Sequence, residues 1–414
     1  METEKTAKKK HRRRKLKPGA ALYAVTVALS VIFILVGNHI ATKDLGSFKG
    51  GLPEEAVVTA RVDAITDRVT NEYGEGAAGT DVQVTFEATI LSGARKGETV
   101  TAVQYLEGVY SGAVPEVAQG KKVVLIEAEG AEDSEWQLIE YVKTDRLFIF
   151  AALFVLALLL FGRGKGFNTI LSLGLTCAAI FAVFIPAILS GKNIYLTAII
   201  ICFYTIVMTY LIVNGGNKKT LAAVFGCFGG IVVSGLLTVV MSKILALTGY
   251  VDEDSVYLTY LSTANDVSID LKAIIFAAVL IGAMGAIMDV AMSIASSLWE
   301  VREKSQAPTF SALFKSGMNI GRDVMGTMAN TLILAYIGSS LSIVLLLTAY
   351  STSPAYLLNR EMIVVEILQA LVGSFGILIT MPLTSFISAA IYTVDTKKLS
   401  DELWESLDAV GKDE

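Results

Sequence analysis

Asp289 and Asn330 are the residues whose type and surroundings most invite chemistry. They sit inside "FAAVLIGAMGAIMDVAMSIASSLWE" and "GRDVMGTMANTLILAYIGSSLSIV", two runs apolar enough to enter a bilayer. A charged side chain at the centre of a membrane helix costs about 2.5–3.5 kcal/mol on insertion scales, so keeping one there points to a use or a partner. On the first run Gly282, Gly285, Asp289 and Ser293 recur at steps of three and four, which sets them on one helix face. Asp323, Gly326, Thr327 and Asn330 follow the same rule on the second. With a rise of 1.5 Å per residue from opposite sides, Asp289 and Asn330 are expected at similar depth, roughly 10–15 Å below the cytoplasmic surface, and facing one another. Such a group suits the binding of a small solute or coupling ion, with Asp289, Asn330, Ser293 and Thr327 as ligands. The bland alternative makes Asp289 a structural carboxylate bonded to Asn330, Thr331 or Arg322.

Other residues extend this expectation. Glu366, nearer the outer face of the last apolar run, is a further candidate ligand. Gly282, Gly285, Gly326, Gly373 and Gly376 are candidates for close helix packing or gating, because small residues let helix backbones approach. Pro382, beside Thr380, Thr384 and Ser385, marks a bend. The segment "APTFSALFKSGMNIGRD" reads as an interfacial helix near 309–321, ending in a cytoplasmic elbow where Arg322 and Asp323 pair. Two G-x-F-G elements, Gly226–Gly229 and Gly373–Gly376, fall in the third helices of two oppositely oriented triplets, as inverted repeats would place them.

The elements that must hold these residues are membrane helices. The chain has 414 residues, of which 53% are hydrophobic and 18% charged. Its mean hydropathy is +0.59, far above an ordinary soluble protein. A bilayer core needs about 20 apolar residues per helix. Eight runs come close: 20–40, 147–161, 167–190, 193–213, 220–248, 272–299, 324–349 and 361–393. Nine Lys or Arg residues between Lys5 and Lys17 place the N-terminus in the cytoplasm, and alternate later loops are the basic ones, so the C-terminus returns there. The first run is longer than a signal h-region and lacks an A-x-A site, so it reads as an uncleaved anchor. The expected fold class is therefore a mostly α-helical polytopic membrane protein of about eight transmembrane helices, N-in and C-in. Its parts are a basic cytoplasmic tail (1–19), an anchor (20–40), an extracytoplasmic domain (41–145), a seven-helix bundle (146–393) and a cytoplasmic tail (394–414).

The 41–145 segment differs in kind. "AVVTARVDAITD", "DVQVTFEATIL", "ETVTAVQYL", "KKVVLIEAE" and "WQLIEYV" alternate β-branched and polar residues between glycine turns, predicting five strands in a small OB-like barrel. Asp44 to Arg146 holds about 19 acidic against 9 basic residues, which argues against nucleic acid as a ligand. A solvated acidic surface is one reading; docking of an envelope partner is the other. Several chemistries find no support. Three cysteines, all in apolar runs, and two histidines make no zinc framework, and no complete phosphate-binding loop is present. Intramembrane proteolysis would need a second deep aspartate or a serine–histidine pair. No enzyme, metal or cofactor is expected.

"IDLKAIIFAAVLIGAMGAIMDVAMSIASSLWEV" followed by "GRDVMGTMANTLILAYIGSSL" resembles the YibE/F family of bacterial multi-pass membrane proteins. The resemblance covers most of the chain from Leu147 onward and implies a polytopic membrane protein without an assigned substrate. The expectation is a secondary transporter or permease of a small solute or ion in the cell membrane. The alternative is a non-transporting envelope-sensing or assembly protein acting through residues 41–145.

Overall fold

The computed structural model describes residues 18–43, 57–72, 80–108, 114–127, 136–305, 309–350 and 353–393. Most of the basic tail 1–19, and all of the tail 394–414, lie outside the described residues. Two compact units emerge, one of residues 49–161 and one of residues 1–48 with 162–414.

In the first unit, alternation makes the fold. Five strands, β1 (Val57–Glu72), β2 (Thr80–Ile90), β3 (Thr99–Leu106), β4 (Lys122–Glu127) and β5 (Trp136–Tyr141), close into a barrel in the order β1-β2-β3-β5-β4. Val82, Val84, Phe86, Ala88 and Ile90 are buried at every second position of β2, and they pack with Val58, Ala60, Val62, Leu125 and Trp136. β1 serves two neighbours, β4 through Val57–Arg61 and β2 from Ala60 onward. Register shifts after Val62 and Ile65 bend it between them. β3 and β5 pair in parallel, over two residues. On the surface Arg68 donates to Glu116 at 2.7 Å, and this bond holds the Glu116 carboxyl below the usual carboxylate range. The same unit ends in an apolar helical stretch from Thr144, uncovered along its length.

The remaining helices are α1 (Pro18–Thr42), α2 (Thr144–Ala179), a π-helical turn (Ile180–Phe184) leading into α3 (Ile185–Leu189), α4 (Ile194–Asn214), α5 (Lys218–Ile244), α6 (Glu253–Ala264), α7 (Leu271–Lys304), α8 (Phe310–Ser339), α9 (Leu341–Tyr350), α10 (Pro354–Leu358) and α11 (Glu361–Thr393). Six helical stretches among the described residues are long and apolar enough to cross a membrane. One of them, Thr144–Leu189, has 46 residues and contains two of the runs expected from sequence. It breaks at Arg163 (φ 48°, ψ −128°), where Gly162 and Gly164 flank the basic residue.

The segment 309–321 is helical as expected, and it continues without a break into the rest of Phe310–Ser339. Arg322 and Asp323 consequently stand in mid-helix, with no elbow and no ion pair between them. Within this helix Gly317 and Gly321 are buried contact points. A Cβ on Gly317 would press on Ser385, and one on Gly321 on Met381.

The bundle is organised around α11, which packs on α5, α7 and α8. Its contact with α5 is an antiparallel ladder of glycine against hydroxyl. A Cβ on Gly226 would fall on Thr384 Oγ1, one on Gly230 on Thr380 Oγ1, and one on Gly376 on Ser234 Oγ. The two G-x-F-G elements thus belong to helices that cross each other. Both ends of α11 are tied. The Glu361 carboxylate accepts from Thr248 N, Thr248 Oγ1 and Gly249 N at 2.6–2.8 Å. At the other end Tyr392 Oη donates to Ala295 O at 2.9 Å, and Arg302 Nε donates to Tyr392 O at 2.8 Å.

Overpacking a close helix crossing typically costs about 1–3 kcal/mol. Gly230→Leu should therefore lower the thermal unfolding midpoint of the detergent-solubilised protein and its monodisperse yield. Gly285→Ala, where nothing lies within 4 Å of an added Cβ, should leave both unchanged. Equal behaviour of the two variants would refute the close-approach account of this crossing.

Candidate functional site

Local sequence decides how α7 and α8 present their side chains. On α7 the apolar residues Val279, Leu280, Ala283, Ile287, Val290, Ala291 and Ile294 are buried against α4, α5 and α11. Ala278, Gly282, Gly285 and Asp289, spaced four, three and four apart, form the uncovered stripe, with Ser293 half-buried beyond them. Asp289 itself has no hydrogen-bond or ion-pair partner among the described residues. Tyr210 Oη donates to Met288 O, which fixes the α4–α7 packing one residue before Asp289.

On α8 the sidedness is stronger. Leu313, Gly317, Gly321 and Leu332 are buried, while Lys315, Asn319, Arg322, Asp323, Gly326, Thr327, Asn330 and Thr331 are exposed. From Lys315 to Asn330 that polar face runs about 22 Å along the axis. Thr327 and Thr331 direct their hydroxyls back to the helix, to Val324 O at 2.9 Å and Thr327 O at 2.8 Å. Asn330 makes no such bond. The expected facing of Asp289 and Asn330 is not realised as a contact: no hydrogen bond joins them, and each lies on an uncovered part of its own helix. Gly326, like Gly285, borders open space.

The glycines of α7 and α11 do meet neighbours. A Cβ on Gly282 would collide with Tyr336 Oη, and one on Gly373 with Leu332. Here a residue outside the expected set, Tyr336, joins the expected Glu366. Tyr336 Oη and Glu366 Oε2 are both buried and both lack a hydrogen-bond partner. A buried carboxylate oxygen and a buried phenol without partners can be satisfied by a proton, a water or a small cation. Pro382 lies within α11, where it leaves Leu378 O without its usual helical donor, two residues from Thr380. The larger apolar cavities lie elsewhere: about 320 Å³ between α4, α5 and α7, and about 380 Å³ between α1 and α4. Asp289 and Asn330 line neither.

Together these features define a multi-pass membrane protein with a small β-barrel. Its polar intramembrane candidates are divided between an uncovered α7–α8 face and a buried α7–α8–α11 junction. A model of the family described as YibE/F-like protein matches residues 150–394, and the chain belongs to that family. No curated protein matches it, and no solved structure does.

A phenol hydroxyl without a partner contributes desolvation cost and no bond. Tyr336→Phe is accordingly expected to leave the unfolding midpoint unchanged or raise it by the equivalent of about 1 kcal/mol. A clear fall in that midpoint would show that the hydroxyl is bonded.

Proposed function

We propose that this protein is a secondary transporter or permease for a small solute or ion, and that the uncovered faces of α7 and α8 line its pathway. The observation that carries this reading is the run of exposed polar groups from Lys315 to Asn330 on a helix of the bundle, with Asp289 likewise exposed on α7. Hydrocarbon is a poor solvent for Lys, Arg, Asp and Asn, and intramembrane polar residues ordinarily face water-filled cavities or one another. Asp289 would carry the coupling charge. Asn330 and Thr327 would supply ligand bonds, Ser293 would extend the polar stripe, and Glu366 would serve the outer end. The same reading takes Thr144–Leu189 as two crossings and α8 with α9 as another. That gives eight in all, with both termini in the cytoplasm of a bacterial cell, the barrel outside and no cofactor engaged.

The rival reading is an envelope-sensing or assembly scaffold, supported by the barrel's independent compactness. One experiment separates the two. In a background without Cys177, Cys202 and Cys227, single cysteines at Gly326, Thr327 and Asn330 are treated with a membrane-impermeant thiol reagent. Cysteine at Leu236, 63% exposed on an apolar helix surface, serves as the lipid-facing control. A wet pathway predicts fast modification at the three α8 sites and none at 236. Protection of all four would favour the scaffold.

Coupling has its own test. Asp289→Asn in proteoliposomes under an imposed proton gradient is expected to cut protein-dependent proton uptake at least tenfold. Uptake equal to the unsubstituted protein would remove Asp289 from that role.

A further inference from the structure

The barrel unit holds a cleft of about 760 Å³ where β4 and β5 give way to the apolar stretch of α2. Its lining includes Lys121, Lys122, Lys143 and Arg146. These are four of the nine basic residues in a segment, Asp44 to Arg146, that carries about 19 acidic ones. Such concentration on an otherwise acidic unit is a local reversal of charge.

Ion pairs inside the unit do not consume it. Lys122 Nζ lies 2.7 Å from Asp145 Oδ2, and Lys143 Nζ lies 2.8 Å from Glu140 Oε2. Glu116, the other acid of the lining, is taken by Arg68 at 2.7 Å. Lys121 and Arg146 have no carboxylate within 4 Å among the described residues. Two cations are therefore left facing the cleft.

Position says what they meet. Arg146 is the last charged residue before the run Leu147–Gly162, and the next is Arg163. Sixteen residues of helix span about 24 Å, not far short of the hydrocarbon thickness. Leu147, Phe148, Ile149 and Phe150 are each 63–75% exposed, as residues in contact with acyl chains would be. Arg146 thus stands at the boundary of the hydrocarbon, and the cleft beside it opens at the depth of the phospholipid headgroups. Phosphate oxygens there would find a guanidinium, which binds them through two parallel donors, and an ammonium.

We propose that this cleft binds the headgroup phosphate of an anionic phospholipid, with Lys121 and Arg146 as its principal ligands and Lys122 and Lys143 as supporting charge. Basic groups near an anionic leaflet are worth about 1 kcal/mol each, or roughly fivefold in affinity. The bound lipid would anchor the barrel's base through a site that does not depend on the α7–α8 faces.

The test uses the full-length protein in neutral detergent, titrated with phosphatidylglycerol or phosphatidylcholine and read by native mass spectrometry. The unsubstituted protein is expected to prefer phosphatidylglycerol at least fivefold. Lys121→Ala/Arg146→Ala should reduce that preference to less than twofold. The charge-conserving Lys121→Arg/Arg146→Lys should keep it, as should Lys96→Ala on a distant barrel turn. A preference untouched by the double alanine variant would overturn the proposal, and so would loss of the preference in the charge-conserving variant. Displacement of the lipid by millimolar inorganic phosphate would overturn it in favour of a soluble-anion site.

Discussion

The crossing of α5 and α11 is the constraint on which the bundle depends. Lipid tails are as apolar as leucine, so membrane helices gain little from hydrophobic contact and associate through close backbone approach. Gly226, Gly230 and Gly376 allow that approach, and Thr384, Thr380 and Ser234 fill the space a Cβ would have taken. Thr380 Oγ1 also donates to Gly376 O at 2.7 Å, so one hydroxyl fills the gap while keeping its own bond within α11. With α11 fixed on α5 and tied at both ends, α7 and α8 receive a rigid surface against which to pack. Their polar faces are what remains outside that packing.

The division between covered and uncovered polar groups gives the membrane unit its character. At the α7–α8–α11 junction, Tyr336 Oη and Glu366 Oε2 are buried atoms without a hydrogen-bond partner among the described residues. On the α8 face, Arg322, Asp323 and Asn330 are open. Enclosed orphan groups raise the local free energy and open ones require a polar environment, so neither is neutral with respect to what surrounds the protein. Belonging to the YibE/F-like family adds no substrate to this picture.

Much of this was legible in the sequence, for identifiable reasons. Alternation in "DVQVTFEATIL" specified β2 and its buried face, because a period of two reports strand burial directly. Long apolar runs specified the membrane helices. What was not legible depended on distant partners. Nothing near Glu361 announces that it caps a turn 113 residues away. Nothing near Tyr336 announces that its hydroxyl lies against Gly282, 54 residues earlier on another helix. Asp289 and Asn330 were placed by helical depth alone, which fixes height along a helix and leaves its rotation free. Rotation is decided by packing, and packing left each on an uncovered face.

The closed order of the barrel bears on how anything recognises it. Every strand has a neighbour on each side, which leaves little unpaired backbone for an incoming chain to zip onto. Contact with this unit must then be made through side chains and loop tips. Specificity of that kind drifts readily by substitution, so related chains could exchange one interlocutor for another while the architecture beneath stays the same.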